Sequence, residues 1–450
     1  MMERKIQIRE FETLAILDYQ GIQEPNQHGK VIITALINSD REAEYRNKAE
    51  NITWIEIVAS AESGEEKILF SGVLISMLMK RKPHECIMTL ELATGTILLE
   101  REVHTRSFQS NKLTLRDVIN ICNEGYEDAD VIMTVGKEER IPHFILQYNT
   151  DDWQFLQRIC ALNGGVLVPS CTVNGVKYFF GMPKTAETAI FNMNCYTAIN
   201  GETLSYAIES REIYFIGTKA EFKGESFFIW KVESKLKHGE LYHTYYISKD
   251  IKKLIKAPGC YDKEITGASL YGVVLAVKNE KVKISIAADE NKENAGDRWF
   301  PFSTVYSSSD GAGWYCMPEA GDKIRLCLPT FNEGEAYVCS AVHENEGDGV
   351  RTNSDHKIWR NKYGKEIRLT PDRIILTNNK GNSVELSDEQ GIHIKSSGSV
   401  NLKAGGRIQI SSENAGIEVA ASSRIRLQQG ESEMLLQDGV EITGTKVNIM

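Results

Sequence analysis

The C-terminal part of this 450-residue chain repeats one short pattern. From about residue 355 onward, two apolar residues flank a single residue, and such pairs recur about every eight residues. Side chains at positions i and i+2 of a strand point to the same face of a sheet. Each repeat therefore predicts one short strand with one apolar face. The pairs are Ile367/Leu369, Ile374/Leu376, Val384/Leu386, Ile392/Ile394, Val400/Leu402, Ile408/Ile410, Ile417/Val419, Ile425/Leu427, Val440/Ile442 and Val447/Ile449.

Glycines between the pairs supply the tight corners of a winding chain. They are Gly381, Gly391, Gly398, Gly405, Gly406, Gly416, Gly430, Gly439 and Gly444. Strands with so narrow an apolar face cannot enclose a hydrophobic core within one chain, and their exposed edges need pairing partners. Three intertwined copies would pair each strand with strands of the other copies and form a stiff rod on the order of 50 Å long. The predicted interior residues are Ile392, Ile394, Val400, Leu402, Ile408, Ile410, Ile417, Val419, Ile425, Leu427, Val440, Ile442, Val447 and Ile449.

Two other folds fit the repeat less well. A single-chain parallel β-helix, with three repeats in each turn, needs no partner copies, but its usual repeat periods differ from eight and its interior is wider. A plain antiparallel domain would show hairpin turns at less regular intervals. We therefore favour the intertwined trimer.

Composition narrows the classes of partner. The net charge of −10 opposes binding to nucleic acid. The nine cysteines are scattered, form no CxxC pair and are odd in number, so we expect reduced thiols in a protein made in the cytosol. The start of the chain is charged, and no run of about 18 apolar residues follows. Export by the general secretory route is not expected.

The region from residue 1 to 258 mixes strands and helices. Alternating runs at 30–37 and 51–58 predict antiparallel strands, and the apolar stretch at 68–79, interrupted by Ser71, Gly72 and Ser76, predicts a hairpin. One helix is capped by Thr114 and Asp117 and buries Leu115, Val118, Ile119 and Cys122. A second runs from about 151 to 162 and ends at Asn163-Gly164-Gly165, with Trp153, Phe155, Leu156, Ile159 and Cys160 buried.

A second region, 259–345, carries five strand candidates, at 272–277, 282–287, 299–306, 323–328 and 336–341. This spacing predicts a small Greek-key barrel of the OB type. The aromatic and basic surface that oligonucleotide-binding barrels need is not evident. A polar, turn-rich segment at 345–354 then marks a boundary, and the third region is 346–450. The expected fold class is thus mainly β.

No enzyme motif is present. The chain has no GxGxxG, GxxxxGK[ST], HExxH or GxSxG sequence. Asp388, Glu389 and Glu418 fit a solvated outer face better than a glycosidase pair. His393 stands between Ile392 and Ile394 and therefore points away from the interior, so it does not suit an axial metal ion. We predict no catalytic residue, no cofactor and no metal.

The order of the three regions resembles the VgrG spike of type VI secretion systems and the fused hub and spike of contractile phage tails, the late control protein D-like family. In the first region, Gln147-Tyr148 precedes a helix that begins at Asp151 and contains Phe155-Leu156-Gln157-Arg158, which is similar to the family's hub. In the barrel, Gly313-Trp314, Pro318 and Gly321-Asp322 lead into a strand as they do in the family. The resemblance covers essentially the whole chain.

The resemblance implies a role. It implies a homotrimeric hub with two tube-like barrels in each chain, which would present six similar faces to a hexameric tail tube and contact baseplate proteins. It also implies a spike that touches a target membrane only on firing, and a PAAR-type tip protein or effector at Ile449 and Met450. Assembly would take place in the cytoplasm, followed by delivery on contraction. The alternative is a trimeric β-helical tailspike enzyme or adhesin that acts on surface glycans.

Overall fold

The structure is a computed structural model that describes residues 4–52, 54–61, 66–82, 85–192, 195–255, 265–339, 349 and 351–446. The chain divides into two compact units, Met1–His343 and Glu344–Met450. Strands greatly outnumber helices in both, which confirms the mainly β fold class.

Six strands in the first part of the chain form one half of a large sheet. They are β1 (Arg4–Ile8), β2 (Ala15–Gln23), β3 (Lys30–Ile37), β4 (Trp54–Ala61), β5 (Glu66–Lys82) and β6 (Glu85–Ala93), in the order β1-β4-β5-β6-β3-β2. All of these neighbours are antiparallel. Their inward residues, such as Ile33, Ile57 and Leu90, build a core with almost no exposed surface.

Strand β5 corrects the predicted hairpin at 68–79. It is a single strand of 17 residues that pairs with β4 along its first half and with β6 along its second. Ser71 and Gly72 are not turn residues. A Cβ at Gly72 would collide with the backbone carbonyl of Ala93, so glycine is needed there for close packing between neighbouring strands.

The helices are α1 (Glu42–Asn51), α2 (Leu115–Asn123), α3 (Asp152–Leu162) and α4 (Ile251–Leu254), with 3-10 turns at Ser39–Arg41, Gly95–Glu100, Lys292–Asn294 and Glu333–Glu335. Both predicted helices are confirmed: Thr114 and Asp117 form a capping box on α2, and Asp151 caps α3. The predicted buried residues of both helices are buried. Helix α1 was not predicted, because it buries only Tyr45 and so shows no apolar periodicity. It also occupies the start of the strand expected at 51–58, which begins at Trp54.

Short strands surround α2 and α3. They are β7 (Val103–Phe108), β8 (Asp130–Met133), β9 (Ile145–Asp151), β10 (Leu167–Pro169) and β11 (Lys177–Phe180). β7 pairs with β9, and β8, β10 and β11 form a three-stranded sheet. With the two helices they enclose a separate core that includes Phe108, Phe155 and Phe180.

A second group of six strands completes the large sheet. It comprises β12 (Thr188–Phe191), β13 (Thr197–Asn200), β14 (Leu204–Ser210), β15 (Lys219–Phe222), β16 (Glu225–Lys237) and β17 (Glu240–Ser248). β16 pairs with β2 and so joins the two groups. This group covers its own core, which includes Phe191, Phe222 and Tyr245.

The next five strands form a nearly closed barrel. They are β18 (Ser269–Lys278), β19 (Lys281–Ile286), β20 (Phe300–Pro301), β21 (Lys323–Cys327) and β22 (Tyr337–Cys339), in the order β20-β19-β18-β21-β22. A parallel bridge between Phe302 and Val338 brings the two ends of the sheet together. This is a Greek-key barrel of the OB type, as predicted. The strand expected at 299–306 is shorter, because only Phe300 and Pro301 belong to the sheet.

The second unit contains two antiparallel meanders. The first comprises β23 (Lys357–Arg360), β24 (Glu366–Leu369), β25 (Arg373–Thr377), β26 (Ser383–Ser387) and β27 (Gly391–Lys395), and the second comprises β28 (Ile425–Gln429), β29 (Ser432–Leu436) and β30 (Val440–Thr443). Residues 396–424 between them form no helix or strand.

Within the single chain, the strands of these meanders pair with one another. We expected each strand to lie between strands of other copies, but the neighbours of these strands come from the same chain. The alternative of a single-chain parallel β-helix does not fit, since every strand pair in the described part of this unit is antiparallel. Pairing within one chain is easier here than expected because left-handed residues such as Asn379, Gly381 and Gly391 let the chain reverse tightly.

Candidate functional site: the apolar strip of the C-terminal unit

The apolar pairs of β24 to β27 lie directly across from one another. Their register produces two rows of four side chains on one face of the meander, which we call the apolar strip. The first row is Ile367, Leu376, Val384 and Ile394, and the second is Leu369, Ile374, Leu386 and Ile392. The predicted pairs thus become a continuous band two residues wide.

Most of the apolar strip is exposed in the single chain. The exposed fraction is 45% for Ile374, 52% for Leu376, 63% for Ile394 and 70% for Ile392. Trp359 of β23 extends the first row and is also exposed. The first row and Trp359 line an open groove of about 630 Å³. A contiguous apolar band of this kind on a protein surface marks an interaction site.

The opposite face of the same meander is more polar. Arg368, Ile375, Glu385 and His393 follow one another in register there. Arg373 Nη1 lies 2.7 Å from Glu385 Oε1 and links neighbouring strands. His393 therefore lies on the face away from Ile392 and Ile394. The two faces differ enough for one to meet solvent and the other a partner.

The segment 396–424 has no strand partner among the described residues. Its three apolar pairs are Val400/Leu402, Ile408/Ile410 and Ile417/Val419, and all six side chains are between 55% and 76% exposed. No heavy atom lies within 4 Å of a Cβ placed on Gly398, Gly405, Gly406 or Gly416. The segment therefore has a repeated apolar pattern without any core to bury it.

The second meander repeats the two-row arrangement. One row is Ile425, Leu436 and Val440, and the other is Leu427, Met434 and Ile442. Met434 and Leu436 were missed in the sequence analysis. Their signal was present: they are an i, i+2 pair in the interval between Leu427 and Val440, which is too long for one repeat.

The structure thus distributes the predicted interior residues over three parts of the second unit. Ile392 and Ile394 belong to the apolar strip, the next six lie in segment 396–424, and Ile425, Leu427, Val440 and Ile442 belong to the second meander. Val447, Ile449 and Met450, which include the expected tip site, lie outside the described residues. Whether these side chains meet in an interior stays a prediction.

A second feature is a buried polar junction between α3 and the barrel. Arg158 is 5% exposed and Glu333 is 3% exposed. Arg158 Nη1 lies 2.5 Å from Glu333 Oε1, and Arg158 Nη2 donates a hydrogen bond to the Leu146 carbonyl at 2.7 Å. The buried charges are therefore paired and hydrogen-bonded, as burial requires.

Strand β7 contacts the barrel through a second set of polar groups. The buried carboxylate of Asp289 accepts hydrogen bonds from the Ser107 amide, at 2.8 Å, and from the Ser107 hydroxyl. Glu290 accepts a hydrogen bond from the Thr105 amide at 3.0 Å and lies 2.7 Å from His104 Nδ1. Burial alone would raise the pKa of Glu290, but these donors hold the pKa below its usual value.

Neither a metal site nor a membrane helix is found in the described ranges. Within them, no three His, Cys, Asp or Glu side chains are grouped so as to hold a metal ion. The helices there are too short or too polar to span a bilayer.

No known family's sequence profile matches the chain, and no curated protein is similar to it in sequence. Solved structures are similar in fold. A chain of the Francisella PdpA-VgrG complex in its lidded form aligns with a TM-score of 0.56 and 11% identity over 88% of this chain and 80% of its own length. The lidless form gives 0.54 and 12% over 88% and 99%.

A third similar structure is an E. coli component of the type VI secretion system, described as similar to the T4 bacteriophage tail proteins gp27 and gp5. It aligns with a TM-score of 0.51 and 11% identity over 74% of this chain and 99% of its own length. At such low identity the likeness concerns the fold alone. The chain therefore has a VgrG-like fold, and the resemblance stated from the sequence is confirmed at that level.

Proposed function

We propose that three copies of this chain form the central hub and spike of a contractile injection machine and that the apolar strip of each copy faces a common axis. The observation that carries the proposal is the exposure of two in-register apolar rows in a single chain. Burying one such side chain contributes about 1.5–3 kcal/mol. Because each copy offers several, assembly has a large driving force.

Three copies suit the shape of the strip. Each meander is only four or five residues wide along its strands, and its apolar band is two residues wide. Two such sheets packed face to face would leave both long flanks open to water. Three sheets arranged as a triangle close the flanks and place all the rows inside.

The segment 396–424 supports the same arrangement. Its apolar pairs continue the repeat but have no strand partner among the residues that the structure describes. In the proposed trimer, this segment winds around the same segment of the other two copies, and the strands that a single chain lacks are supplied by its neighbours. Intertwining is thus proposed for this segment, whereas the meanders pair within each chain.

The first unit suits a hub. Its large sheet consists of two groups of six strands with separate cores, so a trimer would present six similar groups. We propose that these groups are the two tube-like barrels of the region 1–258 and that they dock on a hexameric tail tube and on baseplate proteins. The barrel of region 259–345 would connect the hub to the spike of region 346–450.

No chemistry is needed for this role. The spike would be made and assembled in the cytoplasm, driven outward on contraction, and would touch the target membrane only then. A PAAR-type tip protein or effector at Ile449 and Met450 belongs to the same proposal. The VgrG-like fold supports it, and the polar outer face of the meander suits a rod in water.

Electron microscopy of the purified protein tests the proposal. The intact chain should appear as a compact body with a protruding rod and with threefold symmetry in end views. A chain ended at Ser354, which keeps the first unit, should lack the rod. Images of small single-chain particles for both proteins would contradict the proposed spike.

A further inference from the structure

Two cysteines lie close together on the last two strands of the barrel. Cys327 ends β21 and Cys339 ends β22, and these strands are antiparallel neighbours. In register, Cys327 lies across from Tyr337, and Cys339 lies across from Arg325. The two cysteines are therefore on the same face, offset diagonally. Their Sγ atoms lie 3.0 Å apart.

The surroundings of the pair leave it accessible. Leu326 and Val338, the residues adjacent to the two cysteines, are buried in the barrel core, so the cysteines lie on the outer face. Both thiols are half-buried. Of the other described cysteines, Cys86, Cys122, Cys160 and Cys171 are buried, and Cys195 and Cys316 are exposed. The cysteine spacing in the sequence gave no sign of a pair, because strand register brings together residues twelve apart.

We propose that Cys327 and Cys339 form a redox switch, which is open while the protein is in a reducing compartment and closes to a disulfide on contact with an oxidised thiol compound. The geometry needs little change. A disulfide requires an Sγ–Sγ distance of about 2.05 Å. Side-chain rotations that move the two sulfur atoms roughly 1 Å closer together would reach this distance. This inference goes beyond the proposed function and does not depend on it.

The chemistry is two thiol–disulfide exchanges. One cysteine thiolate attacks the disulfide of oxidised glutathione or of an oxidised dithiol protein, and one thiol of that reagent leaves. The second cysteine then attacks the mixed disulfide and releases the other thiol. The two cysteines lose two electrons and two protons, and the reagent gains both as two thiols.

Either cysteine can make the first attack, since the two sulfur atoms are in contact. Burial, together with the hydrogen bond to Cys327, raises the pKa of Cys339 to about 11, so Cys339 is a thiol at neutral pH and a slow nucleophile. Once one cysteine carries the mixed disulfide, the sulfur of the other is already adjacent and needs only to lose its proton. The 3.0 Å separation compensates for the low nucleophilicity of Cys339.

A closed pair would reinforce a short strand of the barrel. β22 has only three residues, and its Val338 makes the bridge to Phe302 that joins the ends of the sheet. In the sequence, the second unit begins shortly after Cys339, at Glu344. A covalent link from β22 to β21 would hold this last strand in place when force is applied along the chain, and it would form only after the protein leaves a reducing environment.

Mass spectrometry of the full-length protein tests the switch. The protein is incubated with oxidised glutathione, the remaining thiols are alkylated, and the chain is cleaved after Glu333 and Glu335, which lie between the two cysteines. A Cys195→Ser/Cys316→Ser variant removes the exposed thiols that could link different molecules. We expect the two cysteine peptides to be joined, and joined no longer after reduction.

The state of the two cysteines after oxidation shows whether the switch exists. Joined peptides, and a melting temperature a few degrees higher for oxidised than for reduced protein, would support it. A matched Cys327→Ser variant should lose both effects but have the same melting temperature as the reduced protein. Two separately alkylated peptides, glutathione that remains on either cysteine, or a link from either to another cysteine would overturn the switch.

Discussion

Arg158 of α3 and Glu333 of the barrel are 175 residues apart in the sequence and form an ion pair that is almost completely buried, with Nη1 and Oε1 2.5 Å apart. The pair joins the helix-containing core to the barrel within the first unit. A buried ion pair is costly to form and more costly to break, because removing one partner leaves an uncompensated charge. It therefore fixes the orientation of the barrel on α3.

Replacing one member of this pair should be strongly destabilising. We expect Arg158→Met to lower the free energy of unfolding of the first unit by about 3–5 kcal/mol, because Glu333 then remains buried without a cation. The double variant Arg158→Met/Glu333→Leu should recover most of this loss, since no charge stays buried. Guanidinium denaturation measures both.

Arg9, which is half exposed and pairs with both Glu56 and Glu66, is the matched control. Arg9→Met should change the stability very little, because surface pairs contribute little in water. If Arg158→Met were as mild as Arg9→Met, or if the double variant were as unstable as the single one, the junction would not depend on this pair.

The contact between β7 and the barrel should weaken in acid. The folded-state pKa of Glu290 is below the usual value, so the unfolded chain binds the proton more readily than the folded chain does. The stability that Glu290 contributes is therefore complete above the unfolded pKa of about 4.3 and is lost as the pH falls through the lower folded pKa. Glu290→Gln should flatten the loss of melting temperature between about pH 5 and pH 3. An equally steep loss in Glu290→Gln and wild type would contradict this, and exposed Glu293→Gln serves as the control.

Substitutions at two adjacent isoleucines can distinguish an effect on assembly from an effect on the stability of the single chain. Ile374 belongs to the apolar strip and is 45% exposed, whereas Ile375 lies on the opposite face and is half-buried in the single chain. If the chain acted alone, Ile375→Asp would be the more damaging change. The proposed trimer predicts the reverse for assembly: Ile374→Asp should abolish the trimer, because three charges would meet in an apolar interior.

Sedimentation velocity measures the oligomeric state of both variants. We expect single chains for Ile374→Asp, and trimers for those Ile375→Asp molecules that fold. Trimers of Ile374→Asp would show that the apolar strip is not the interface.

The continuity of β5 depends on Gly72. A Cβ at this position would collide with the Ala93 carbonyl, so Gly72→Ala forces neighbouring strands apart. We expect it to lower the free energy of unfolding by about 1–3 kcal/mol, as overpacking does. At Gly125 nothing lies within 4 Å of the added Cβ, and Gly125→Ala should be nearly neutral. Equal effects in the two variants, measured by urea denaturation, would contradict the packing role of Gly72.

Segment 396–424 should be protected from proteases in the assembly. Lys403, Arg407 and Arg424 are exposed in the single chain and lie outside any helix or strand, so trypsin would cut there readily. Intertwined copies would hide this backbone. We expect limited trypsin digestion to leave the segment intact in wild type but to cut it in Ile374→Asp. Rapid cleavage of both proteins would contradict the intertwining.

The sequence predicted the features that depend on local chemistry. The Thr114–Asp117 capping box, the Asp151 cap and the left-handed end at Gly164 each involve residues within a few positions of one another, and all are present. The apolar pairs were found for the same reason, because strand alternation is a local property. The barrel was predicted from five short strand candidates in a short stretch of the chain.

The remaining features depend on distant parts of the chain. Ser71 and Gly72 are typical of a turn, and only the neighbouring strand β6 shows that Gly72 is needed for close packing. Arg158 and Glu333 are ordinary charged residues in the sequence, and Cys327 and Cys339 become a pair only through strand register. Whether a strand pairs within its own chain or with another copy depends on the turn geometry and on the presence of partner copies. An apolar repeat alone specifies neither of these.

The central claim is that three copies bring their apolar strips together, and the mass of the intact protein in solution tests it most directly. One chain has a mass of 50.6 kDa. Multi-angle light scattering of the purified full-length protein should give three times this value, and the chain ended at Ser354 should give a smaller assembly or single chains. A mass of one chain for the full-length protein, at concentrations where it is well folded, would contradict the account.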